Sequence, residues 1–213
     1  MGAIPCRFDS DQRHMSFYRT MPLNPDKNLQ AYIIGLAVGD GNLSNQSGRA
    51  VRLRISCDDK YPNLRNKIIS SLKLLLPQNG VGTVKRKSNC TDVYVHSNHL
   101  ENLLGWKALN GSKFSQNVSI PEWILENTDY KIKCLKGLIE TDGSIYIDRG
   151  YKMVIFSTII EKLANSVQDM ILSLGFKPHK YKIPQKIGAK FKYQVRLSKS
   201  VDKFLDLVKP EKN

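Results

Sequence analysis

Asp40 and Asp142 each stand directly before a glycine, at the end of an apolar, glycine-containing stretch. The first reads Ile33-Ile34-Gly35-Leu36-Ala37-Val38-Gly39-Asp40-Gly41 and the second Leu135-Lys136-Gly137-Leu138-Ile139-Glu140-Thr141-Asp142-Gly143. A carboxylate in the last turn of a helix faces the negative end of the macrodipole and unpaired carbonyls, at a cost of about 0.3–1 kcal/mol. One such aspartate is an ordinary local compromise, since Asp-Gly also makes a turn. Two at matching places call for a cause. A bound divalent cation supplies it, because carboxylate and carbonyl oxygens are the ligands Mg²⁺ prefers. Two carboxylates holding divalent metal can activate water and stabilise the attacking and departing oxygens of an in-line displacement.

No other constellation competes. His14, His96, His99 and His179 are scattered and read as surface or strand residues, with no serine triad beside them. Cys6, Cys57, Cys90 and Cys134 show neither C-x-x-C spacing nor a histidine at a zinc-ligand interval, so they read as free thiols in a reducing compartment. The net charge is +14, and from Asp148 onward 14 Lys and Arg stand against 6 Asp and Glu. That surplus points to a polyanionic partner, since cations that neutralise phosphates release condensed counterions. The N-terminus lacks a signal-peptide layout, Cys6 stands where myristoylation needs Ser or Thr, and no apolar run reaches the ~20 residues of a membrane helix. A soluble intracellular protein with no membrane partner is expected.

The elements that must position the two acids repeat. Residues 1–27 read as an extended arm. A helix is expected from Leu29 to Asp40 with Asn28 as N-cap and Gly41 as its stop. A hairpin over 42–56, a helix over 64–76 ended by Pro77, a hairpin from Val81 to His96 and a short helix over 100–104 follow. Residues 110–113 connect, and 120–127 read as a helix entered through Pro121. The order then restarts: helix 130–142, hairpin 144–157, helix 159–174, hairpin 180–197 and helix 201–208. Asp40 and Asp142 are 102 residues apart; Leu64 and Leu163, early in the second helix of each half, are 99 apart. This is an internal duplication, and adjacent hairpins give an α+β class with antiparallel sheets. Gly35 and Gly39 share one helix face, as do Gly137 and Thr141. Small residues there let two helices approach backbone to backbone, which brings Asp40 and Asp142 out side by side.

Both stretches resemble the LAGLIDADG motif, and the chain resembles a monomeric two-repeat LAGLIDADG homing endonuclease over nearly everything after the arm. The resemblance implies two pseudo-symmetric αββαββα repeats, over 28–109 and 129–213 with a connection at 110–128. It implies motif helices at the repeat interface and four-stranded antiparallel sheets forming a DNA-binding saddle. It implies that Asp40 and Asp142 are catalytic metal ligands for Mg²⁺, with two or three divalent ions at the interface. It also offers Lys113, in Gly111-Ser112-Lys113-Phe114, as a basic catalytic residue near the scissile phosphate. The match departs two positions before the acid, where Glu140 stands in the second repeat and Val38 in the first.

The strands supply the surface. In Lys190 to Leu197 basic and polar residues alternate strictly with apolar ones. Lys180 and Lys182 flank Tyr181, and Arg52 and Arg54 flank Leu53, in the same manner. Arg49, Arg52, Arg54, Lys85, Lys87, Lys180, Lys182, Lys192, Gln194 and Arg196 are the expected DNA-contacting residues, being of types that bind phosphates or base edges. The expected function is site-specific cleavage of double-stranded DNA at a long asymmetric target, by an intron-encoded or free-standing monomer. The alternative is an RNA-binding intron-splicing maturase on the same scaffold. Retention of both acids favours the nuclease, because an RNA binder has no need of two costly helix-terminal carboxylates.

Overall fold

The carboxylate of Asp26 accepts from the backbone N–H groups of Asn28 (2.8 Å) and Leu29 (3.3 Å). It thereby satisfies two of the donors a helix start leaves free. The first helix, α1 (Lys27–Asp40), therefore begins two residues before the expected Leu29, and Asn28 lies inside it. The computed structural model describes residues 23–45, 48–186 and 188–212, so most of the expected arm, and Cys6 and His14 with it, falls outside the described residues.

After α1 come β1 (Gly41–Ser44), β2 (Arg52–Asp58), α2 (Pro62–Leu75), β3 (Val81–Lys85), β4 (Cys90–His96) and α3 (Leu100–Leu104). A short α4 (Glu122–Leu125) precedes the second series. That series is α5 (Thr128–Thr141), β5 (Gly143–Asp148), β6 (Tyr151–Thr158), α6 (Glu161–Ser173), β7 (His179–Ile183), β8 (Lys192–Leu197) and α7 (Val201–Val208). The helix expected over 120–127 is cut to four residues because Asn127 leaves it to cap α5, accepting from Asp129 N (2.9 Å) and Tyr130 N (3.2 Å).

Both sheets are antiparallel and share one topology, β1-β2-β4-β3 and β5-β6-β8-β7. Their registers correspond: Gly41 pairs with Ile55 as Gly143 pairs with Phe156, and Ser56 with Asp92 as Ser157 with Gln194. The β5–β6 turn places Arg149 and Gly150 both at positive φ (49° and 84°), the combination that matches the twist of a two-residue hairpin. The helices cover one face of each sheet, and Leu53, Ile55, Val93 and Val95 or Val154, Phe156, Val195 and Leu197 point into the core beneath them. Residues Gln30 to Gly39 of α1 are all buried, because this helix is enclosed on every side. It is apolar all round for that reason.

Candidate active site

α1 and α5 cross in backbone contact. A Cβ on Gly137 would lie 2.5 Å from the Tyr32 carbonyl oxygen and 2.6 Å from Leu36 N, and one on Gly35 would overlap the Cys134 carbonyl. A Cβ on Gly39 would overlap Thr141, whose Oγ1 donates back to Gly137 O (2.9 Å). The small residues are thus consumed by the interface itself.

The two helices end together. Asp40 is the last residue of α1 and Asp142 the C-cap of α5. The glycines that follow do not stop the helices in the left-handed conformation. Gly41 is extended (φ −77°, ψ 148°) and begins β1 directly. A Cβ on Gly143 would lie 2.5 Å from Ile139 Cα. Glycine is needed at these corners because each strand leaves tight against the helix it follows.

Lys113 reaches into this region. Its Nζ donates to the carbonyls of Val38 (2.6 Å) and Gly39 at the end of α1, and at 3.3 Å to that of Ala37, which also accepts from the Gly41 N–H. Lys212, absent from the sequence-derived candidates, does the same for α5, with Nζ 2.7 Å from Thr141 O and 3.3 Å from Gly143 O. The separation of Lys113 and Lys212 is 99 residues, the repeat offset already seen at Leu64 and Leu163. That offset was the signal that could have found it. Each ammonium faces a helix C-terminus, where the macrodipole favours a cation.

Two clefts of about 530 and 550 Å³ flank the helix ends. One is lined by Asp40, Ser56, Glu140, Gly143 and Lys212, the other by Val38, Lys113, Asp142, Ser157 and Lys192. Each cleft therefore pairs one repeat's aspartate with the lysine that caps the other repeat's helix. Burial raises the pKa of Asp40, against the pull of Lys212 and Lys113. Burial, and then the Asp40 charge, push Asp142 up from 3.8 to about 6, again opposed by Lys113 and Lys212. Burial lowers both lysines, while both aspartates raise them. Two carboxylates close enough for the Asp40 charge to raise Asp142 fit a hard divalent cation, which would offset their repulsion. Among the described residues no group of three His, Cys, Asp or Glu forms a closed cage, so the remaining ligands of such an ion would come from water and substrate oxygens.

Glu140 belongs to the same region. It is 1% exposed and accepts from Tyr32 Oη (2.6 Å) across the repeat interface and from the Glu211 backbone N–H (2.8 Å), with Lys136 Nζ at 3.6 Å. The positions 102 residues away on the other side of the pseudo-dyad are Val38, for Glu140, and Cys134, for Tyr32; both are apolar and buried. A polar pair thus replaces an apolar pair, and the Val38–Glu140 departure is compensated. The Glu211 bond also anchors the segment that carries Lys212.

The strand residues fall on two different faces. Arg52, Arg54, Lys192, Gln194 and Arg196 lie opposite the helices, and Arg49 is exposed in the β1–β2 loop. Lys180 and Lys182 do not share that face: they pair with Val195 and Tyr193, whose side chains point to the helices. Lys180 Nζ bonds Asn165 of α6 and Lys182 Nζ sits 4.3 Å over Phe191. Tyr181 takes the outward position and accepts from Arg196 Nη2 (2.9 Å). Lys85 likewise pairs with Thr91, on the helix side, and bridges Asp59 (3.5 Å). Lys87 lies past the end of β3, and Arg86, not expected from the sequence, points outward instead. The cause is parity on the edge strands: register against β4 and β8 sets the face, and a long lysine side chain tolerates either, so polar alternation there does not mark the solvent side.

A pseudo-symmetric α+β protein with paired acids at the crossing of two helices, beneath two outward sheet faces, is the class this architecture defines. Residues 129–209 match the model of the LAGLIDADG-like domain family. The crystal structure of I-DmoI in complex with DNA and Mn superposes with a TM-score of 0.64 at 19% identity, covering 85% of this chain and 96% of that one. Mesophilic variants of the homing endonuclease I-DmoI give 0.59 at 19%, covering 85% and 95%. The N-terminal LAGLIDADG domain of DUF199/WhiA gives 0.58 at 10%, covering 95% and 94%. Comparison with curated protein sequences returns no match. Residues 129–209 form a LAGLIDADG-like domain, and the chain as a whole shares the fold of these solved structures. No helix among the described residues is long and apolar enough to cross a membrane.

Proposed function

We propose that the protein is a metal-dependent, site-specific endonuclease for double-stranded DNA, acting as a monomer on a long asymmetric target. The observation that carries this reading is the pair of clefts, each combining an aspartate whose pKa is raised with a lysine ammonium at a helix end. One scissile phosphate would enter each cleft, which suits a double-strand break. Asp40 and Asp142 would hold divalent metal, Mg²⁺ by preference. Bound there, it would supply Lewis-acid activation of water and phosphate. Lys113 and Lys212 place positive charge where the displacement builds negative charge. Arg49, Arg52, Arg54, Lys192, Gln194 and Arg196 would bind the duplex, with Arg86 and Tyr181 in place of the lysines that face the helices. Two repeats with different outward residues read different half-sites, so the target is asymmetric. The unit boundaries 28–109, 110–128 and 129–213 fit this division of labour.

The I-DmoI structures named above include a DNA complex with Mn. That supports the reading through likeness of fold. The test is cleavage selection from a randomised duplex library in Mg²⁺, repeated with Asp40→Asn and Asp142→Asn. Double-strand cleavage should vanish in both variants while duplex binding persists. Wild-type-like cutting by either variant, or binding of structured intron RNA in preference to duplex DNA, would overturn the proposal, the latter in favour of the maturase.

A further inference from the structure

Asp92 is an anomaly on the outward face of the first sheet. It lies on β4 opposite Ser56, on the side that carries Arg52 and Arg54, where an exposed carboxylate would repel a polyanion. It is only 4% exposed, because its neighbours close over it. Arg86 Nε donates to Oδ2 at 2.7 Å, Arg54 Nε lies 3.6 Å from the same oxygen, and Ser56 Oγ donates to Oδ1 at 2.8 Å. One buried acid therefore serves two arginines, whose side chains remain 35% (Arg54) and 39% (Arg86) exposed.

The atoms used matter. Both guanidinium groups address Asp92 through Nε, and among the described residues neither makes a hydrogen bond through Nη1 or Nη2. The paired amino edge of each fork is left for an outside acceptor. A planar fork that is already oriented loses less freedom on binding than a free side chain. The acceptor pair such a fork matches in the major groove is O6 and N7 of guanine. A phosphate contact needs no such fixing, since a mobile lysine serves it equally well.

The second repeat lacks the device. The equivalent of Asp92 by strand register is Gln194, and the equivalent of Arg54 is Ile155. The outward face of β5 and β6 carries Ser144, Tyr146, Met153 and Ile155 where β1 and β2 carry Asn42, Ser44, Arg52 and Arg54. The charged clamp belongs to one half of the saddle only.

We infer that Asp92 is a specificity-positioning residue that holds Arg54 and Arg86 to read guanine in the half-site under the first repeat. The inference rests on the reading of the protein as a binder of duplex DNA. Asp92→Asn keeps the shape and an acceptor for Ser56 but removes the charge that orients the arginines. Arg54→Lys and Arg86→Lys keep the charge but remove the fork.

The experiment is binding selection from a randomised duplex library, with Ca²⁺ in place of Mg²⁺, for wild type and the three variants, with a thermal melt on each. Wild type should select guanine at positions confined to one half of its site. Asp92→Asn should weaken that preference by on the order of tenfold, leave the other half-site unchanged, and keep or tighten non-specific affinity because a negative charge is gone. A merely structural Asp92 would lower affinity across the whole site and move no base preference. Unchanged guanine preference in all three variants, or equal loss in both halves, overturns the inference alone. Failure of the folded wild type to select any duplex overturns the endonuclease reading and the inference together.

Discussion

Asp142→Asn separates the cost of the acid from its use. In the folded protein Asp142 titrates at about 6 instead of 3.8, because it is desolvated and faces Asp40, and the two lysines offset only part of this. The difference corresponds to roughly 3 kcal/mol at about 1.36 kcal/mol per unit of pH. The folded value lies above the unfolded one, so the folded state holds the proton more tightly. Below pH 3.8 both states carry the neutral acid and no penalty exists. Stability is lost as pH rises from 3.8 to about 6, and above that the full cost of the charge applies. Asn carries no charge at any pH. The metal-free variant should therefore be more stable than wild type by up to about 3 kcal/mol at pH 8 and by little at pH 4. Urea unfolding in EDTA at both pH values measures this directly. Added Mg²⁺ should then raise the stability of wild type and not of the variant, since a ligand stabilises only the state that binds it. A variant less stable than wild type at pH 8, or a difference that does not change with pH, would refute the reasoning.

Gly35→Ala should lose about 1–3 kcal/mol in urea unfolding although Ala is the better helix former, because the new methyl meets the Cys134 backbone, which cannot turn aside. Gly80→Ala, whose Cβ would meet nothing within 4 Å, is the control and should be near neutral. Tyr32→Phe leaves the buried Glu140 Oε2 without its 2.6 Å donor and should cost about 1–3 kcal/mol, with a double-mutant cycle to Glu140→Gln showing coupling; additive losses would contradict the pairing. Lys212→Met should slow cleavage on the order of 100-fold with duplex binding nearly intact. Because Lys212 lines only the Asp40 cleft, nicked product should accumulate; equal slowing of both strands would contradict the two-cleft assignment.

The sequence carried the duplication, the α+β class and both aspartates, because each leaves a local signature. Apolar spacing on α1 and α5, Asp-Gly at their ends and glycine four residues before Gly39 follow from helix geometry that neighbours in the chain enforce on one another. The central strands β2 and β8 were legible for the same reason. Each has one face in the core and one outside, so Arg52 and Arg54, and Lys192, Gln194 and Arg196, alternate cleanly with buried apolar residues. Edge strands β3 and β7 were not legible. Only register against β4 and β8 decides which face Lys85, Lys180 and Lys182 take, and a lysine stem tolerates either.

What tertiary structure alone decided lies between residues far apart in the chain. Lys212 meets the end of α5 from 71 residues away, and Tyr32 meets Glu140 from 108. Asp92 gathers Arg54 from the paired strand β2, 38 residues earlier in the chain, and Arg86 from just past the end of β3. No local period marks such pairs, because they are set by how the repeats pack and not by backbone geometry. The sequence by itself determined that two acids end two matching helices. Close packing at Gly35, Gly137 and Gly39 then brings those ends together, sets beside each acid the lysine that caps the other helix, and makes their charge costly.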